Sequence, residues 1–190
     1  MDSQVQPASW SFWGRWLVAT FIGWVAGIII AIVLSYLVVN LFHPKETNLI
    51  VGLVLGAVVG LTQMIAVRRL VSLTYRWVWG AAVGLGISFI VAVLIDEIWF
   101  SASEASDMWL VLVAIAGGAF AGVLQAPTLR PHTPLAQWWI LASIISWGIA
   151  WLISTVLGEA GFLVGGIFLG AVSGALLIWI LKSSPADEAV

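Results

Sequence analysis

The stretch GAVVGLTQMIAVR, residues 56–68, recurs as GAFAGVLQAPTLR at 118–130 and as GAVSGALLIWILK at 170–182. The three align without gaps. Each opens on Gly-Ala and has a second glycine four residues after the first (Gly60, Gly122, Gly174). Gln63, Gln125 or Leu177 stands seven residues after the first glycine, and Arg68, Arg130 or Lys182 twelve after it. Self-similarity at a fixed period marks repeated supersecondary units. The segments between the copies share a weaker opening: RWLVATFIGW from Arg15 matches WWILASIISW from Trp138, pairing Trp16 with Trp139 and Trp24 with Trp147. RWVWGAAVG from Arg76 fits the same opening loosely.

Each copy sits in an uncharged apolar run long enough to be a membrane span. A hydrocarbon core about 30 Å thick needs about 20 apolar residues at ~1.5 Å per residue. Breaks at charge and proline clusters predict helices over 12–41, 47–67, 77–99, 107–127, 137–157 and 160–181, joined by short connections. The expected fold is all-α: a polytopic bundle of six transmembrane helices in a single membrane domain, 1–190. Because the repeat spans two helices, it divides into three parallel hairpins, at approximately 12–70, 75–130 and 136–182. An inverted three-plus-three transporter would repeat every three helices instead. A ring about a threefold axis and a linear row of hairpins fit this pattern equally well.

Composition agrees with a membrane domain. Apolar residues make up 62% of the chain and charged residues 8%, against about 25% charged in soluble domains. The N-terminus, MDSQVQPASW, has no basic region, and the apolar stretch after it is too long for a signal-peptide core, so the first helix is expected to be retained. Basic residues are kept on the cytoplasmic side of a membrane. Arg15, Arg68, Arg69, Arg76, Arg130 and Lys182 fall on one side of the predicted spans and Lys45 alone on the other. Both termini are therefore expected in the cytoplasm, with the chain in the inner membrane. Trp10, Trp13, Trp16, Trp77, Trp79, Trp138, Trp139 and Trp179 fall at the depth of the cytoplasmic interface, where an indole can bury its ring and wet its N–H. Trp99 and Trp109 mark the outer one.

The glycine pattern has a packing explanation. Gly52, Gly56 and Gly60 recur every four residues, as do Ala114, Gly118 and Gly122, and Gly166, Gly170 and Gly174. Each set forms one smooth stripe that lets another backbone approach closely, as small residues do between helices in lipid. On this reading helices 2, 4 and 6 form the packed core. Gly23 with Gly27 and Gly80 with Gly84 offer shorter notches.

Few residues carry chemistry. The net charge of −2 without a basic block excludes a nucleic-acid surface. With no cysteine, thiolate nucleophiles and disulfides are excluded. There is no HExxH, GxSxG or intramembrane carboxylate pair, so no enzyme activity is expected. His43 and His132 neighbour prolines in loops rather than lying at haem-ligand depth, and no cofactor or metal site is assigned. Asp96 and Glu97 are placed at the outer rim, about 30 Å of helix from Trp77. Gln63 and Gln125 lie one turn inside the cytoplasmic surface, where an amide bonds across helices or lines a vestibule. Trp24, Trp147 and Trp151 lie deeper, packing in the core or against an apolar ligand.

The Trp-anchored odd helices and the GAxxGxxQxxxxR even helices resemble multi-pass bacterial membrane proteins built from Trp- and Gly-rich helical hairpin repeats. The resemblance implies an inner-membrane bundle and no particular activity. Two functional classes stay open. The preferred one is a non-catalytic subunit or scaffold within a larger membrane assembly, contacting lipid and other membrane subunits or copies of itself. The alternative is a pore or carrier for a neutral or hydrophobic small molecule.

Overall fold

A computed structural model describes residues 10–38, 44–68, 71–99 and 107–183. They form six helices and no strand: α1 (Trp10–Val38), α2 (Pro44–Val67), α3 (Tyr75–Trp99), α4 (Asp107–Leu129), α5 (Trp138–Val156) and α6 (Glu159–Lys182). Among the described residues, five are long and apolar enough to cross a membrane, and α3 is apolar over Tyr75–Val91. The chain is thus a multi-pass helical membrane bundle. Helix boundaries follow the expected spans closely, except that α4 continues through Pro127. This proline falls in the last turn, where its missing N–H removes a single ladder bond, and the Thr128 hydroxyl donates to the Gln125 carbonyl there at 2.7 Å.

Each helix packs against its two neighbours in the chain, and α1 packs against α6. Among the described residues no helix crosses between non-neighbours. The three hairpins therefore close into a ring, which decides between the two arrangements the sequence allowed. Three indoles of α1 fasten the closing seam. Trp13 Nε1 donates to the Ala171 carbonyl at 3.0 Å, Trp16 Nε1 to Ser173 Oγ at 2.9 Å, and Trp24 Nε1 to the Phe162 carbonyl at 2.6 Å. In a medium without water each such donor needs a protein acceptor.

Glycine stripes set the spacing around the ring. A Cβ on Gly56 would collide with the Ala81 backbone of α3, and one on Gly118 would lie 2.7 Å from the Ser143 carbonyl oxygen of α5. On Gly170 it would lie 3.0 Å from the Leu17 backbone of α1. Each even helix thus presents its stripe to the odd helix that follows, and α6 does so to α1. Gly52, Gly60, Gly122, Gly166 and Gly174 continue these contacts, against Phe89, Ala81, Ile140, Trp24 and Trp16 respectively. Ala114 instead joins the apolar cluster containing Leu85 and Trp151. The expectation of a core made by helices 2, 4 and 6 is corrected accordingly. Odd and even helices alternate around the ring, and glycine serves the seams between hairpins. Gly23 and Gly84 hold the partners within a hairpin together, against Thr62 and Ala121.

The third hairpin is also joined by close backbone contact. Gly161 and Gly165 bring α6 against the α5 backbone at Ser154 and Ala150. The turn itself needs Gly158, whose φ of 60° lies in the region L side chains avoid.

Candidate functional site

Arg15, Arg68, Arg76, Arg130 and Lys182 all lie exposed towards one end of the ring, called here the basic end. From that end inward, the odd helices line the interior at four-residue intervals: Trp16, Thr20, Trp24 and Ile28 on α1; Trp77, Ala81, Leu85 and Phe89 on α3; Trp139, Ser143, Trp147 and Trp151 on α5. Four residues are slightly more than one helical turn, so each set forms a nearly straight row.

The first layer is a triangle of indoles. Ring centroids of Trp16 and Trp77 lie 6.0 Å apart, Trp16 and Trp139 6.1 Å, and Trp77 and Trp139 5.0 Å. All three are buried. Their assignment to the interfacial belt is corrected here: they sit at that depth but point into the ring, and their N–H groups bond to protein. Trp77 Nε1 donates to Gln63 Oε1 at 3.2 Å and Trp139 Nε1 to Gln125 Oε1 at 2.9 Å. Both glutamines come from the preceding even helix, fourteen residues back. At the third corner Leu177 replaces the amide, and Ser173, one turn away, accepts from Trp16. The amides are used at both ends: Gln63 Nε2 donates to Thr20 Oγ1 and Gln125 Nε2 to the Trp77 carbonyl. Of the tryptophans expected at the interface, Trp10, Trp79, Trp138 and Trp179 are exposed there as the belt requires.

Beyond the triangle lies a void of about 10 Å³ bordered by Gln63, Gln125, Ser143, Ser146, Ser173 and Trp147. The indole N–H of Trp147 has no protein acceptor among the described residues. The void is at the size that admits a single water, ~10–15 Å³, so the middle of the ring is packed rather than open.

Next, Trp24 meets Trp147 at 5.7 Å and Trp151 at 6.1 Å. Trp24 and Trp151 form the floor of a cavity of about 560 Å³ at the far end. Its walls come from α1 (Ile28, Ala31, Ile32, Ser35, Tyr36), α2 (Val51, Leu55), α3 (Phe89) and α6 (Phe162). That volume falls within the ~300–1,000 Å³ typical of small-molecule sites. Among the described residues no charged side chain lines it. The Ser35 hydroxyl is already bonded to the Ala31 carbonyl at 2.7 Å.

The chain matches no family model, no curated protein and no solved structure. Chemistry must therefore be read from the geometry alone.

That geometry brings Trp24 and Trp151 together with Phe89 in one cavity, while Gln63, Gln125 and Trp147 meet in the layer beneath. The glutamines hold the indole triangle through bonds between helices. The side chains of Asp96 and Glu97 lie outside the described residues, as does His43. His132 is at the basic end, 3.3 Å from the Ser72 hydroxyl. No group of three or more metal-ligating side chains occurs among the described residues. Sequence reasoning missed the triangle, although its signal was present: Trp16 and Trp139 aligned in the repeat, and Trp77 holds the same place in RWVWGAAVG.

Proposed function

We propose that this is a non-catalytic protein of the inner membrane, with both termini cytoplasmic, that holds a hydrophobic small molecule in the far-end cavity. It would serve as a binding component or carrier rather than a channel. The observation carrying this reading is that, among the described residues, the ring is hollow at the far end and filled at the basic end. At the far end about 560 Å³ is lined by apolar side chains. At the basic end the three indoles fill the axis in mutual contact.

An apolar pocket with aromatic walls rewards burial of an apolar guest, at ~25 cal/mol per Å² removed from water, and offers nothing to an ion. An unshielded charge at mid-membrane costs at least ~2.5–3.5 kcal/mol, and the described residues of the interior present only neutral amides, hydroxyls and indoles. The cavity favours this reading over a purely structural subunit, which needs no interior space.

The test is mass spectrometry of the protein extracted gently from its native membrane, beside Ala31→Trp, which fills the cavity from a buried position on α1. A stoichiometric small molecule that is lost in the variant supports the proposal. Stoichiometric protein partners with no small molecule would favour the subunit or scaffold reading.

A further inference from the structure

The third hairpin is shorter than the first at the far end. From the indole layer, α1 runs from Trp16 to Val38 and α5 from Trp139 only to Val156. The difference is five residues, about 7 Å of helix. α6 starts three residues before Phe162, the residue whose carbonyl holds Trp24. Gly170 lies on Thr20 and Gly166 on Trp24, so Glu159 is level with Ala31 and the last seven residues of α1 have no α6 beside them. The burial pattern of α1 agrees: between Ile29 and Leu37 only Ala31 is buried.

At this notch the cavity meets the outer surface of the ring. Ile32 is 51% exposed and Phe162 42%, and both also line the cavity. Beside them the α5–α6 turn shows Val156 and Leu157, both exposed and apolar. An apolar turn next to an apolar mouth suits hydrocarbon rather than water, since exposed apolar surface of this extent is favourable only where lipid covers it.

We propose that the notch between α1 and the α5–α6 turn is a lateral portal through which one acyl chain of a bilayer phospholipid, from the far leaflet, enters the cavity and lies against Trp24 and Trp151. This rests on the reading of the cavity as a hydrophobic binding site and names its occupant. Three features select a lipid chain. The cavity is continuous with the lipid-facing surface. The Ser35 hydroxyl in its lining is already bonded to the Ala31 carbonyl and does not recruit a head group. Among the described lining residues none is a cation, which leaves the phosphate outside, at the mouth.

The test uses the full chain reconstituted in phosphatidylcholine vesicles doped with a phosphatidylcholine carrying a diazirine at one chain terminus. A small free aromatic diazirine is run in parallel. After photolysis, adducts are mapped by peptide mass spectrometry. Lipid adducts on the buried residues Trp24, Leu55 and Trp151, lost in Ala31→Trp while adducts on the lipid-facing Val18 and Leu112 persist, are the expected result. The persisting adducts, with unchanged elution on size exclusion, show that the variant is folded. Labelling of the buried residues by the free probe but not by the lipid would overturn the portal while leaving a hydrophobic site. Labelling of those residues by neither would overturn both.

Discussion

The glycines facing the hairpin seams should differ in sensitivity to a single methyl group, in an order set by the space each has. A Cβ on Gly56 falls on the Ala81 carbonyl, so backbone must move. On Gly118 the nearest atom is the Ser143 carbonyl oxygen at 2.7 Å, and on Gly170 it is Leu17 backbone at 3.0 Å. Gly14 has nothing within 4 Å and is the control. Overpacking costs about 1–3 kcal/mol, and Gly→Ala in a helix returns about 1 kcal/mol of propensity. Gly56→Ala should therefore lose about 2 kcal/mol net, Gly118→Ala less, and Gly170→Ala least, while Gly14→Ala is neutral or mildly stabilising. At ~2–4 °C per kcal/mol for a chain of this size, Tm should fall by about 4–8 °C for Gly56→Ala. Thermal unfolding in detergent, followed by size exclusion of the heated samples, measures it. Equal Tm values for all four variants would refute the seam contacts, because the stripes would then face lipid.

Gln125→Leu strands the Trp139 N–H and should destabilise by about 1–3 kcal/mol; adding Trp139→Phe should recover part of that loss, and simple additivity in the double-mutant cycle would deny the bond. In this cysteine-free chain, Arg130→Cys should be reached by an impermeant thiol reagent only after permeabilisation and Glu46→Cys before it, with the reverse pattern inverting the topology. Proton, potassium and sodium flux into liposomes should equal that of empty vesicles, since the indole triangle closes the axis; flux well above background that disappears on substituting Asp96 and Glu97 would promote a transporter.

The hairpin architecture was legible because two patterns coincide in the sequence: span-length apolar runs and a gapless repeat with a period of two helices. Closure of the ring was not, since a row and a ring bury the same stripes except that of α6. The contacts of α6 with α1, among them Gly166 on Trp24, Gly170 on Leu17 and Gly174 on Trp16, separate the two. The interior was half legible. Gln63 and Gln125 stood out as amides in apolar helices, but their indole partners looked like interfacial anchors, because depth along a helix says nothing of which way a side chain points around it. The cavity left no local signal. It arises where Ile28, Leu55, Phe89, Trp151 and Phe162, far apart in the chain, line a space that the shorter third hairpin does not fill.

Everything inside the ring depends on α1 meeting α6, and a disulfide reports that contact directly. A Cβ on Gly170 would lie 3.2 Å from the Thr20 Cβ, within a few tenths of the ~3.5–4.5 Å separation of a disulfide. With no native cysteine to compete, the Thr20→Cys, Gly170→Cys double variant in membranes should form an intramolecular cross-link under mild oxidation. The product would be a faster-migrating monomer on a non-reducing gel, reversed by reductant. Persistence of the free thiols, or cross-linking only between chains, would contradict the closed ring and the cavity built within it.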